Sequence, residues 1–166
     1  MNEDLATIDD RKAIWKRIEN VPVAFFTSLS EDNGLRARPL TTQCVEPESR
    51  LWFFIERYGD LANDVKANPR ALVTYSVEAD RFYASLTGRA RVYVDPEKAR
   101  EMWSKLNEAW FPGGPDDPNL ALLRVDVDHG ETWEPTTNKL TQFLSIAAAA
   151  ILHTAPSNEG AHKTFQ

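Results

Sequence analysis

The sequence predicts a mainly β protein with flanking helices, an antiparallel barrel or sandwich and not a wound parallel sheet. Three observations carry this expectation. Six stretches rich in aromatic and β-branched residues follow one another at short spacing; turn clusters such as SEDNG (30–34), EPESR (46–50) and EADR (78–81) join them; and few helical segments intervene. At 166 residues the chain fits one domain, expected over 1–153, with 154–166 as a C-terminal tail.

Taken in order, Ile8, Ile14, Trp15 and Ile18 fall at helical spacing behind a capping Thr7 or Asp9 and before Pro22, which predicts a helix over about 9–20. Val21–Leu29 and Leu35–Val45 read as a hairpin. Pro39 cannot donate to a ladder, so it marks an edge or a bulge in the second strand. Leu51–Glu56 (LWFFIE) is a short apolar strand of the kind buried on both faces. Leu61 and Val65, four apart, predict a short helix over 60–67 that Asn68-Pro69 stops. Ala71–Val77 and Phe82–Val94 are the next strands, with Gly88 at a bulge or bend. Asp95-Pro96 opens a helix, aspartate as cap and proline at its first position, predicted to run to about Ala109 with Met102, Trp103 and Leu106 as its apolar stripe. A proline- and glycine-rich loop fills 110–119, and Leu120–Trp133 is the sixth strand. Residues 137–152 are alanine-rich and read as helix, and 154–166 as a loose tail.

Composition removes several function classes. The formal net charge of −6 disfavours nucleic-acid binding, because a phosphate backbone rewards a basic face. The longest apolar stretch, residues 146–152, is too short to span a bilayer. The opening MNEDLATIDD carries four acids before its first base and no apolar core, so no secretory signal is expected. A single cysteine, Cys44, allows no internal disulfide and no cysteine-rich metal site, and a reducing cytoplasm is the expected compartment. The sequence holds no G-x-S-x-G, Walker loop, H-E-x-x-H or G-x-G-x-x-G. His129, His153 and His162 are scattered, and Cys44 on a strand reads as a small buried apolar residue rather than a nucleophile. No catalytic side chain and no metal ligand are assigned.

Chemistry points instead to Arg36-Ala37-Arg38-Pro39-Leu40. Arginines at alternate strand positions share a face, and paired guanidinium groups suit a phosphate. The same spacing also describes two surface arginines on an edge strand.

Four segments then resemble, in order, the general stress protein branch of the pyridoxamine 5'-phosphate oxidase-like split-barrel flavoproteins: RARPL (36–40), LWFFI (51–55), VKANPRALVTYS (65–76), and SLTGRARVYVDPEKAREMW (85–103) followed by WFPGG (110–114). The similarity spans about residues 8–135. It implies a six-stranded antiparallel split β-barrel that forms a homodimer and binds flavin mononucleotide (FMN) at the dimer interface. Carried over residue by residue, Arg36, Ala37, Arg38, Pro39 and Leu40 would line one side of the flavin, and Phe53, Phe54 and Ile55 would supply the neighbouring strand. Tyr83 and Trp110 would approach from the partner subunit or the closing loop, with PGGP after Trp110 as a flap. One of Phe53 and Phe54 is expected to be barrel core instead. The chain departs from the family where a threonine follows the paired aromatics and a lysine comes shortly after, for here stand Ile55 and Leu61. Arg57, or a backbone N–H near Gly59, is the expected substitute.

The implied activity is that of a flavin-dependent oxidoreductase, similar to a flavin reductase, with NAD(P)H as electron donor. A protein that stores or senses flavin without turnover is the alternative. A barrel that lacks the cofactor, or holds another flavin or haem, is the third. Pyridoxamine-phosphate oxidation itself is not expected, because no basic set for a second phosphate stands near the C-terminus.

Overall fold

A computed structural model describes residues 4–5, 8–30, 32–46, 49–135 and 160–165. Its elements in chain order are β1 (Asp4–Leu5), α1 (Ile8–Ile18), β2 (Val23–Leu29), β3 (Leu35–Glu46), β4 (Arg50–Glu56), α2 (Asp60–Ala67), β5 (Arg70–Val77), β6 (Phe82–Tyr93), α3 (Pro96–Met102), β7 (Leu120–Pro135) and β8 (Gly160–Phe165). The strands form one sheet in the order β1-β8-β7-β4-β3-β2-β5-β6, and a β6–β7 pairing closes β2 to β7 into a six-stranded antiparallel barrel. Closure removes the two edges that an open sheet of these strands would leave unpaired.

Register follows from which face is apolar. In β2, Ala24, Phe26 and Ser28 point inward and are buried, while Val23 and Phe25 point out. β4 is buried on both faces, as its unbroken apolar run predicts: Leu51, Phe53 and Ile55 join the barrel core, and Trp52 and Phe54 join a second cluster outside it. The inner core also receives Ile14, Trp15 and Ile18 from α1 and Leu61, Ala62 and Val65 from α2. Arg17 pins α1 to one end of the barrel, its Nη1 donating to Glu134 Oε2 at 2.7 Å while its guanidinium lies 4.5 Å from the Phe82 ring centre. Gly88 stands at a register shift between β6 and β7. Thr87 faces His129 and Gly88 faces Val127, so the extra residue, Asp128, lies on β7.

Three sequence expectations are corrected. The helix from Pro96 ends at Met102, not near Ala109. Trp103 takes an extended conformation and sets its ring 5.6 Å from Phe54, and a separate 3-10 turn spans Lys105–Ala109. Packing on the outer cluster thus overrides helical propensity, and Leu106, placed by sequence in the helix stripe, is 83% exposed. The expected loose tail contains β8, which pairs antiparallel with Gly130–Pro135 and parallel with β1, so two short strands extend the sheet beyond the barrel. The helix expected over 137–152 lies outside the described residues.

Candidate functional site

A cavity of about 390 Å³ opens between β3, the end of β4, the first turn of α2 and the 3-10 turn after α3. That volume lies within the roughly 300–1,000 Å³ usual for small-molecule sites. Each wall follows from a local feature of the chain. β3 contributes Arg38, Pro39, Leu40 and Thr41 from a stretch that alternates between exposed and half-buried. Thr42 pairs with Phe53 and Cys44 with Trp52, so Gln43 is a bulged extra residue, and the bulge brings its side chain into the cavity wall. β4 ends there with Phe54, Ile55 and Glu56. α2 begins there with Asp60 and Leu61 behind Gly59, and the turn after α3 brings Asn107, Trp110 and Phe111.

The polar geometry centres on Arg38. Its Nη2 donates to Asp64 Oδ2 at 3.2 Å, and Ser28 Oγ donates to the same oxygen at 3.2 Å. Asp64 is buried because it shares the inward face of α2 with Leu61, Ala62 and Val65. The other terminal nitrogen of Arg38, Nη1, is buried with no hydrogen-bond partner among the described residues. A buried donor of this kind is costly to leave unmade, which suits it to an acceptor on a ligand. Across the cavity, Asn107 Nδ2 donates to Gln43 Oε1 at 3.1 Å and Gln43 Nε2 to the Thr41 carbonyl at 3.2 Å, so a linked pair of amides forms a second polar edge. The rings of Phe54 and Phe111, 6.4 Å apart and nearly perpendicular, give the apolar wall. Trp110 stands at the rim, 78% exposed.

Of the residues singled out from sequence, Arg38, Pro39, Leu40, Phe54, Ile55, Leu61 and Trp110 come together in this lining. Arg36 and Ala37 are exposed on β3 nearer the hairpin turn and stand outside it. Phe53 is fully buried in the barrel core. Tyr83, at the start of β6, pairs with Ser76 and Trp133 and lies outside the lining, half-exposed. Arg57 does not serve the cavity either. It stacks on Tyr58 at 5.2 Å and lines a smaller hollow of about 180 Å³ with Asp95 and Asp116. Gly59 does line the cavity, but its N–H is directed to the Glu56 carbonyl at 3.3 Å.

Sequence reasoning missed Gln43, Glu56, Asp60, Asp64, Asn107 and Phe111. Only Asp64 carried a signal, since it stands three residues after Leu61 on the apolar stripe of a short helix, where an acid needs a partner. Cys44 packs beside the outer cluster, and burial pushes its thiol up from its ordinary value, which disfavours the thiolate. His129 pairs with Glu131 at 3.4 Å on β7. Among the described residues no group of three or more histidine, cysteine or acidic side chains is placed to hold a metal, and no helix is long and apolar enough to cross a membrane.

Comparison with known proteins places these features in a family. The family model described as pyridoxamine 5'-phosphate oxidase like matches residues 9–157. A protein described as general stress protein 26 from Jannaschia sp. CCS1 is 29% identical, with a TM-score of 0.73, over 96% of this chain and 100% of that one. A general stress FMN/FAD binding protein from Xanthomonas citri is 30% identical, with a TM-score of 0.68, over 80% and 93%. A general stress family protein from Xanthomonas campestris pv. campestris is 28% identical, with a TM-score of 0.68, over 81% and 93%. No curated protein matches the sequence. The closed six-stranded barrel and the family match over most of its length agree: this chain belongs to the pyridoxamine 5'-phosphate oxidase-like family of split-barrel proteins.

Proposed function

We propose that the cavity between β3 and α2 binds a flavin, and that the protein is a flavin-dependent oxidoreductase of the general stress protein type that takes electrons from NAD(P)H. The observation that carries this reading is the cavity itself: an apolar wall of Phe54 and Phe111, two polar edges at Arg38 and at Gln43–Asn107, and an exposed tryptophan at the rim. A flavin ring needs a flat apolar slot with a few hydrogen-bonding groups at its edges, and these residues match that need. Bound flavin supplies a hydride acceptor, while the chain supplies the slot, the donors and the exclusion of water. The Xanthomonas citri relative, described as an FMN/FAD binding protein, supports the flavin class. FMN is the flavin that the family resemblance names. Its ring suits the slot. Its phosphate suits the lining less, because Ile55 and Leu61 are apolar, Glu56 and Asp60 are acidic, and Arg38 is the cation of the lining.

A homodimer completes the proposal. Val23 and Phe25 on the outer face of β2 are 47% and 54% exposed. Phe25 pairs with Pro39 of the cavity lining, so the apolar patch runs into the cavity mouth. The acidic, single-cysteine composition supports the cytoplasm as the compartment.

The test is the visible absorption spectrum of the purified protein before and after incubation with flavin and desalting. Retained flavin bands are expected, followed by their bleaching on addition of NADH or NADPH. Retention without bleaching would assign a flavin-binding protein that does not turn over with these donors. A colourless protein in every case would end the flavin reading.

A further inference from the structure

The charges around the cavity are set against a phosphate. Arg38, the cation of its lining, is committed on one side to Asp64, a buried carboxylate 3.2 Å away that Ser28 holds in place. Its charge is therefore compensated before any ligand arrives. Two further carboxylates, Glu56 and Asp60, line the same cavity, and neither has a salt-bridge partner among the described residues. Counting these four side chains, one cation stands against three carboxylates. Asp60 also occupies the first turn of α2, where it takes up the favourable field that a helix N-terminus offers to an anion. Of the further cations close by in sequence, Arg36 is exposed on β3 outside the lining and Arg57 lines the other hollow. What remains for a ligand is the buried, unpartnered Nη1 amino group of Arg38, an amide pair at Gln43–Asn107 and aromatic walls. Those are partners for carbonyl oxygens, ring nitrogens and hydroxyls.

We propose that this cavity recognises the uncharged part of a flavin and discriminates against its phosphate, so that riboflavin binds at least as tightly as FMN. The proposal rests on the flavin reading above and narrows its ligand class. The open Arg38 N–H donates to a neutral acceptor, and Glu56 and Asp60 repel a phosphate dianion at the mouth.

The full-length protein is titrated with riboflavin and with FMN, following quenching of flavin fluorescence, at low salt and at roughly 0.5 M salt. The dissociation constant for riboflavin is expected to equal or fall below that for FMN. Salt, which screens exposed charges, should tighten FMN binding relative to riboflavin. The variant Glu56→Gln/Asp60→Asn should shift the FMN-to-riboflavin ratio in favour of FMN by about two- to fivefold per charge removed. Both acids are exposed, so circular dichroism of the variant should be unchanged. Wild-type FMN binding more than about threefold tighter than riboflavin binding overturns the proposal and leaves the flavin reading standing. A ratio unmoved by both salt and the double substitution overturns it as well. If neither flavin binds, the flavin reading itself falls and takes the proposal with it.

Discussion

At the scale of single residues, the fate of Asp64 shows how an acid is held inside a small barrel. Its carboxylate is buried on α2 and receives hydrogen bonds from Arg38 and Ser28. Removing only the cation leaves the carboxylate desolvated and unbalanced. Arg38→Met should therefore destabilise the fold by about 2 kcal/mol, less than the usual cost of breaking a fully buried pair because Arg38 is partly exposed. Arg38→Met/Asp64→Leu should recover most of that loss in urea denaturation. A double variant as unstable as the single one would mean that packing, not charge, sets the cost. Tyr75 gives a pH signature. It is buried, its hydroxyl lies 2.9 Å from Thr42 Oγ1, and burial pushes its pKa from 10.0 up to about 12. The folded state therefore keeps the phenol proton where the unfolded chain has lost it. Stability is intact below pH 10 and falls between pH 10 and about 12, by up to about 3 kcal/mol. Tyr75→Phe should lose about 1 kcal/mol at neutral pH, for one hydrogen bond, and show a shallower decline above pH 10.

At the scale of elements, bulges do the positioning. Gln43 enters the cavity wall because one extra residue interrupts the β3–β4 register, and the shift at Gly88 interrupts the β6–β7 register. A Cβ at Gly88 would stand 2.1 Å from the Asp126 carbonyl oxygen, which is backbone and cannot swing aside. Gly88→Ala should accordingly cost about 3 kcal/mol or more, read as a lowered denaturation midpoint or loss of soluble protein. A variant of wild-type stability would show that the two strands part easily at this point. The segment after α3 makes the same case for packing. Trp103 leaves the helix to meet Phe54, and the turn that follows presents Asn107 and Phe111 to the cavity.

At the scale of the whole molecule, the barrel is closed and its core contiguous, yet an apolar patch at Val23 and Phe25 is left outside. Apolar residues exposed side by side next to a cavity are a surface that a second copy of the chain would cover under the proposed dimer. Sedimentation velocity should show a dimer, and Phe25→Glu, which sets a charge in the proposed interface, should give a folded monomer with weakened flavin retention. A wild-type protein that sediments as a monomer would remove the dimer from the proposal.

The sequence by itself determined the six strands of the barrel, their antiparallel class, the family resemblance and the arginine strand, but not β1 or β8. Alternation, turn clusters and Pro39 are local signals, and the unbroken apolar run of β4 already stated that both its faces would be covered. It could not say which of two adjacent phenylalanines faces the core, because that depends on register: Phe53 is inside the barrel and Phe54 is at the cavity. Nor could it foresee that Arg36 stays outside the cavity, that Arg38 is already paired with Asp64, or that Gln43 and Asn107 meet across a distance of 64 residues. Those outcomes belong to the tertiary structure, because charge compensation and bulge geometry arise only when segments remote in sequence are brought within hydrogen-bonding reach.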